Sequence, residues 1–243
     1  MIDINLKYQV VLFGSYEDIA PNPETIKYFI EKFSDKGLIP TTFQELSPNG
    51  VINRFSLASS DGKWLIEFSS NRIDINKTNK DIGVTDIGEI NQFIVEIQEI
   101  VGIINEKFPK KHNRLSLITR YLFSEMDDKT MSSIYTKLNN TIELYKKHPI
   151  ADWNNRAVSR VAYNIGDVSE LFNIISEVKR TIGNHSFNSK IQKIDRVELM
   201  FDLNTYQGNT DYRFDLNSVN MFLNTVTEIE SNLKENYIKL IES

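Results

Sequence analysis

The chain contains no cysteine. That excludes disulfides, thiolate metal sites and thiol nucleophiles, and it fits a reducing compartment. No apolar run approaches the roughly 18 residues of a membrane span. The opening Met1-Ile2-Asp3 is acidic where a secretory signal region would be basic. The expectation is a cytoplasmic protein without membrane association. Histidine is scarce too. His112, His148 and His185 stand far apart, and none lies three or four residues from another His, Asp or Glu on a clear common helical face. Zinc ligation is therefore not expected, and solvated loop positions account for all three. The phosphate-cradling patterns G-x-G-x-x-G and G-x-x-x-x-G-K-[ST] are missing, as is the nucleophile elbow G-x-S-x-G. A net charge of -5 at pH 7 argues against general nucleic-acid binding, because it repels a phosphate backbone at long range. No cofactor is expected.

What is present is a dense fold signal. At 243 residues and 40% apolar content the chain has enough side chain to bury a sizeable core. Residues from Leu6 to Phe13 read as a strand. Asn22 as N-cap, Pro23 in the first turn and the face Ile26, Phe29, Ile30, Phe33 then predict a helix that Gly37 stops. From Val51 to Lys77 the period falls to two. Phe55 and Leu57 share a face, as do Trp64, Ile66 and Phe68 beyond the Asp61-Gly62 turn, and Arg72 to Asn76 adds a third short strand. The Lys77 to Gly83 segment reads as a polar loop. Asp86 and Glu89 form a capping-box pattern before the stripe Ile90, Phe93, Ile94, Ile97, Val101, Ile104, Phe108, which Pro109 ends. The strand Leu115 to Phe123 follows, expected beneath that helix.

The second half repeats this logic more loosely. Met131, Ile134, Leu138, Ile142 and Tyr145 predict one helix ending near Pro149, followed by a strand from Ala157 to Ile165. Val168 to Val178 fits either a helix or a two-sided strand. Val197 to Leu203 alternates as a strand, and Asp215 caps a last helix from Leu216 to Ile241. The expected class is α+β, with antiparallel sheet packed against long amphipathic helices, either as one domain or as two related halves, 1–125 and 126–243, with a soft boundary near Ser124 to Lys129.

Two constellations carry chemistry. Asp167 with Glu177 and Lys179 matches in type the acidic residue and E-x-K pair of Mg-dependent nucleases, where carboxylates hold the ion and the lysine steadies water or phosphate. The plainer reading is a turn aspartate and an exposed Glu/Lys pair. The strand arginines Arg54, Arg72, Arg120 and Arg160 either form ion pairs, with Asp74 and Asp202 as partners, or line an anion-binding groove. The cations Lys107, Lys110, Lys111 and Arg114, and Lys146 with Lys147, sit where they complement helix C-termini.

The motifs Ser60-Asp61-Gly62 with Arg72 to Asn76, Leu117-Ile118-Thr119-Arg120-Tyr121, and Met200-Phe201-Asp202-Leu203-Asn204-Thr205-Tyr206 give the chain a family likeness. It resembles an uncharacterised, sporadically distributed family of bacterial proteins of similar length. Asn204 replaces the second acid of that family's terminal L-D-I-D-x-Y-like strand. The resemblance implies a strand at Val168 to Val178, and a patchy occurrence like that of genes on mobile or defence islands. The leading expectation is a non-catalytic protein-interaction module with a protein partner encoded nearby, in a phage-defence or toxin–antitoxin-like system. The alternatives are an Mg-dependent nuclease using Asp167, Glu177 and Lys179, and a small-ligand or nucleotide sensor. In the sensor reading Arg54, Arg72 and Arg120 line a groove, with Asp202 beside them. Oligomeric state is not written in the pattern.

Overall fold

Strand β1 (Ile2–Phe13) turns Tyr8, Val10 and Leu12 inward and pairs on both sides, so the chain begins at the middle of its own sheet. In the computed structural model, which describes residues 1–48, 50–80, 85–139, 141–148, 150–187 and 190–242, the elements run in this order. After β1 come α1 (Pro23–Phe33), β2 (Leu38–Ser47), β3 (Gly50–Ser59), β4 (Trp64–Phe68), β5 (Arg72–Thr78) and α2 (Ile90–Lys107). There follow β6 (Arg114–Phe123), α3 (Asp128–Leu138), α4 (Glu143–Lys147), β7 (Asn154–Ile165), β8 (Val168–Phe187), β9 (Lys190–Thr205) and α5 (Leu216–Glu242). The described strands form one antiparallel sheet of nine, in the order β2-β3-β4-β5-β1-β6-β9-β8-β7. The α+β class is thus observed, with a single sheet shared by both halves of the chain.

β1 and β6 are each rejoined by a later strand: β5 pairs with β1, and β9 pairs with β6. β1 and β6 pair with each other at the centre of the sheet, and the β6–β9 pairing joins the halves. The helices bury one face of the sheet. Phe29 of α1 stacks on Phe55 and packs against Phe68, Phe93 of α2 meets Tyr8, and Phe222 of α5 stacks 5.7 Å from Phe172. Burying a ring of that size contributes on the order of 1.5–3 kcal/mol, so this layer dominates the stability of the fold. α5 lies over β6 and α2 over β1, which moves the cover of the Leu115 to Phe123 strand from the preceding helix to the last one.

The capping signals are partly as read. Asn22 accepts the Thr25 N–H at 2.9 Å and Asp215 accepts that of Ser218 at 2.9 Å. Asp86, however, caps no helix. Its Oδ1 accepts the N–H groups of Ile87 and Gly88 in a local turn with Gly88 at φ +77°, and α2 starts after Glu89 without a side-chain cap. The single helix predicted from Met131 to Tyr145 is two: α3 ends at Leu138, and Ile142, just before α4, and Tyr145 within it are exposed. β2 is an edge strand that the sequence pattern, whose alternation starts at Val51, does not announce. Val168 to Val178 belongs to strand β8, entered through a hairpin turn with Gly166 at φ +61°. His185 falls in β8 rather than in a loop, and its side chain lies outside the described residues, as do residues 81–84 of the expected polar loop and Pro149.

Candidate functional site

Because side chains alternate across a strand, the residues between the core positions all point to the opposite face of the sheet, which carries none of the described helices. One cross-strand row runs its full width: Thr41, Ser56, Glu67, Asp74, Val11, Ser116, Asn204, Asn173 and Arg160. Only Val11 in it is apolar. A polar outer face is ordinary for such a sheet, but Ser56, Asp74, Ser116, Asn173 and Asn204 in this row are buried, which makes this face the candidate recognition surface.

Its two halves are wired differently. Over β6, β9, β8 and β7 the groups around Asp202 and Asn173 satisfy one another, while Arg114 Nε, Arg120 Nε and Glu198 Oε1 on that side have no hydrogen-bond partner among the described residues. Ser116 and Asn204 each donate to Asp202 Oδ1 at 2.9 Å, Asn173 donates to Asn204 at 3.0 Å and to Gln207 at 2.9 Å, and Arg160 donates to Asn173 at 3.2 Å. Over β1, β5 and β4 lies a cavity of about 380 Å³ lined by Lys7, Gln9, Glu67, Arg72, Asp74 and Asn76 among others. Asp74 there accepts from Arg72 at 2.7 Å and from Gln9 at 2.9 Å. Its neighbours are less well served. Asn76 is 8% exposed and its Oδ1 has no hydrogen-bond partner. Glu67 and Lys7 make no side-chain hydrogen bond or salt bridge among the described residues.

Like charges face each other at both ends of this cavity: Glu67 lies opposite Asp74, and Lys7 opposite Arg120. Burial, then Asp74, push the Glu67 carboxyl above its ordinary range. Burial, then Arg120, hold the Lys7 ammonium below its own. Both groups are thus biased toward their neutral forms.

Two larger depressions are wider and shallower. One, of about 590 Å³, lies between the end of α2 and the start of α5, where Asp215 already caps α5 and Lys110 pairs with Asp18 at 2.8 Å. The other, of about 580 Å³, flanks α3 and α4.

The sequence-predicted residues are distributed as follows. Arg54 is sealed: it donates to the carbonyls of Phe68 at 3.0 Å and Tyr16 at 2.7 Å, tying the loop after β1 to the sheet, with Glu45 3.4 Å away. Arg72 lines the cavity and pairs with Asp74, one of its two expected partners. Arg120 pairs with Glu198 at 3.5 Å rather than with Asp202, because the register sets Met200 opposite it. Asp202 serves Ser116 and Asn204. Glu177 and Lys179 do lie on a strand, 3.3 Å apart, but Asp167 sits in the β7–β8 turn. Glu177 lies ten residue steps along the chain from Asp167, or roughly 33 Å of strand, so the structure does not bring the three together. Among the described residues no group of three His, Asp or Glu is placed to hold a metal ion. His112 is not a solvated loop residue: it is buried, lies 2.5 Å from the Tyr16 hydroxyl through Nδ1, and has its pKa lowered by burial to about 4.

Sequence reasoning missed Lys7, Gln9, Glu67 and Asn76. The signal was a polar residue at every second place in otherwise apolar central strands. A further polar group lies on the helix side, where Tyr121 donates to the buried Glu230 at 2.5 Å and burial raises the Glu230 pKa. No described helix is long and apolar enough to cross a membrane. Comparison of the chain with protein-family models gives no match, and neither does comparison with curated proteins.

Proposed function

We propose that the chain is a non-catalytic recognition module, acting in the bacterial cytoplasm, that binds a partner protein encoded nearby through the free edge of β7. The setting is a phage-defence or toxin–antitoxin-like system. The observation that carries this reading is the state of that edge. Residues 156–162 are exposed without interruption on a strand at the end of the sheet order, and Val158 and Val161 are 47% and 41% exposed. Folded proteins usually blunt such an edge with proline, lysine, a bulge or a covering segment, since its unpaired N–H and C=O groups template another strand. The opposite edge, β2, has Pro40. β7 carries Arg156 and Arg160 but no proline and no bulge, and its exposure supports addition of a partner strand.

The test is co-expression with the products of adjacent genes, followed by co-purification. A stable complex with the unaltered chain, lost in Val158→Lys and Val161→Lys, is expected. A complex that survives both substitutions would remove the edge from the interface, and a chain that retains none of the neighbouring products would refute the partner.

A further inference from the structure

The cavity over β1, β4 and β5 is a separate matter from the β7 edge. Its floor is built of three successive rows of side chains on one face. The first holds Glu67 and Asp74, the second Leu65, Asn76 and Gln9, and the third Lys7, opposite Thr78, with Lys63 alongside. Rows on the same face of a strand lie roughly 7 Å apart, so the first and third are separated by roughly 13 Å. The rows differ in kind. Asp74 is used by Arg72 and Gln9, which leaves the Glu67 carboxylate as the free acceptor at one end. In the middle, the buried Asn76 Oδ1 is an acceptor with no donor, a deficit that persists unless something supplies an N–H or O–H. At the far end Lys7 is a donor with no acceptor, facing Arg120 across the strand pair.

The geometry points to a binding site for a small zwitterion, its ammonium against Glu67 and Asn76 and its anionic group against Lys7. Such a ligand removes three deficits together. It gives Asn76 a donor, separates the paired carboxylates Glu67 and Asp74 with a cation, and sets an anion against Lys7. The cavity of about 380 Å³ falls in the size range of small-molecule sites. An unmodified peptide of four residues spans roughly 13–14 Å when extended and matches the separation of the rows.

The experiment titrates the isotope-labelled full chain with tetraglycine, with N-acetylated and C-amidated tetraglycine, and with inorganic phosphate. NMR follows the side-chain amides of Gln9 and Asn76 and the side chain of Lys7. Tetraglycine should shift all three saturably, the capped form none, and phosphate Lys7 alone. Glu67→Gln should weaken tetraglycine at least ten-fold and leave the phosphate response intact; Lys7→Met should weaken both at least ten-fold. Val158→Lys should change neither, which keeps this site apart from the β7 edge. The inference is overturned if the capped peptide binds as well as the free one, if phosphate alone binds, if no resonance moves, or if both variants titrate like the unaltered chain. Should a variant fail to fold, the free and capped peptides on the unaltered chain still decide the matter.

Discussion

Ser116, Asp202, Asn204, Asn173 and Arg160, on the β6-β9-β8-β7 side of the open face, pass hydrogen bonds from one to the next. On the β4-β5-β1 side, Glu67, Asn76 and Lys7 stand in the same kind of row and have no such chain. The two regions share composition, alternation and strand geometry; they differ in whether the polar groups are spent on each other. A spent network rigidifies the sheet and has little left to offer a ligand. An unspent one is tolerated at a cost in stability and is where recognition chemistry is to be sought.

The comparison has to be made above the range in which His112 dominates. Burial holds its pKa at about 4 in the folded chain against 6.5 unfolded, so the unfolded chain takes up the proton first as pH falls. Stability is therefore undiminished above pH 6.5 and drops by about 3 kcal/mol between there and pH 4. Urea unfolding at a series of pH values should show this loss, and His112→Gln should flatten it. Next in size, Asn173→Leu should cost about 2 kcal/mol, because it leaves the buried Asn204, and the more exposed Arg160 and Gln207, without their partner.

The other half of the face should answer with the opposite sign. Glu67 has a raised folded pKa, so its penalty is absent below the unfolded value near 4.3 and grows as pH rises through the folded one. Glu67→Gln should then match the unaltered chain in acid, subject to the common His112 loss, and be the more stable of the two at neutral pH. Lys7 has a lowered folded pKa, and its penalty is present at neutral pH and lost above roughly 10.4. Lys7→Met should be stabilising near pH 7.5, with the gain vanishing in strong alkali. Smallest of all, Val158→Lys and Val161→Lys should move stability by less than about 0.5 kcal/mol while abolishing partner binding, since they are surface changes.

The layered architecture was readable because caps and periodicity are local. Asn22 with Pro23, Asp215, and the stripes of α2 and α5 announce themselves within a few residues. What failed was mostly what depends on distant neighbours. β2 is exposed along much of its length and carries Thr, Gln and Glu, so no alternation marks it. The split between α3 and α4 is invisible to a pattern that places Ile142 and Tyr145 on the helical face, although both are exposed. The capping box at Asp86 was chemically apt, yet Gly88 at positive φ turned the same carboxylate to a local turn.

The arginines illustrate the limit at the candidate site. Residue type offered Arg54, Arg72 and Arg120 either structural ion pairs or a common groove. The fold sends Arg54 to carbonyls in a sealed corner and Arg72 to the cavity, and the β6–β9 register gives Arg120 to Glu198 instead of Asp202. Register is a property of pairing between segments far apart in the chain, and no single segment encodes it. Lys7 and Glu67 were missed for the same reason, since each becomes notable only opposite Arg120 or Asp74.

The most direct measurement compares Asn76→Leu with Asn204→Leu by urea unfolding of the unliganded protein at pH 7.5. Both asparagines are buried on the same face, and Asn204 is engaged by Asn173 and Asp202 while the Asn76 Oδ1 is alone. Asn204→Leu should lose about 2 kcal/mol or more, and Asn76→Leu should be neutral or stabilising by up to about 1 kcal/mol. Equal losses at the two positions would mean that Asn76 is a structural group like its counterpart, and that this half of the face holds nothing in reserve for a ligand.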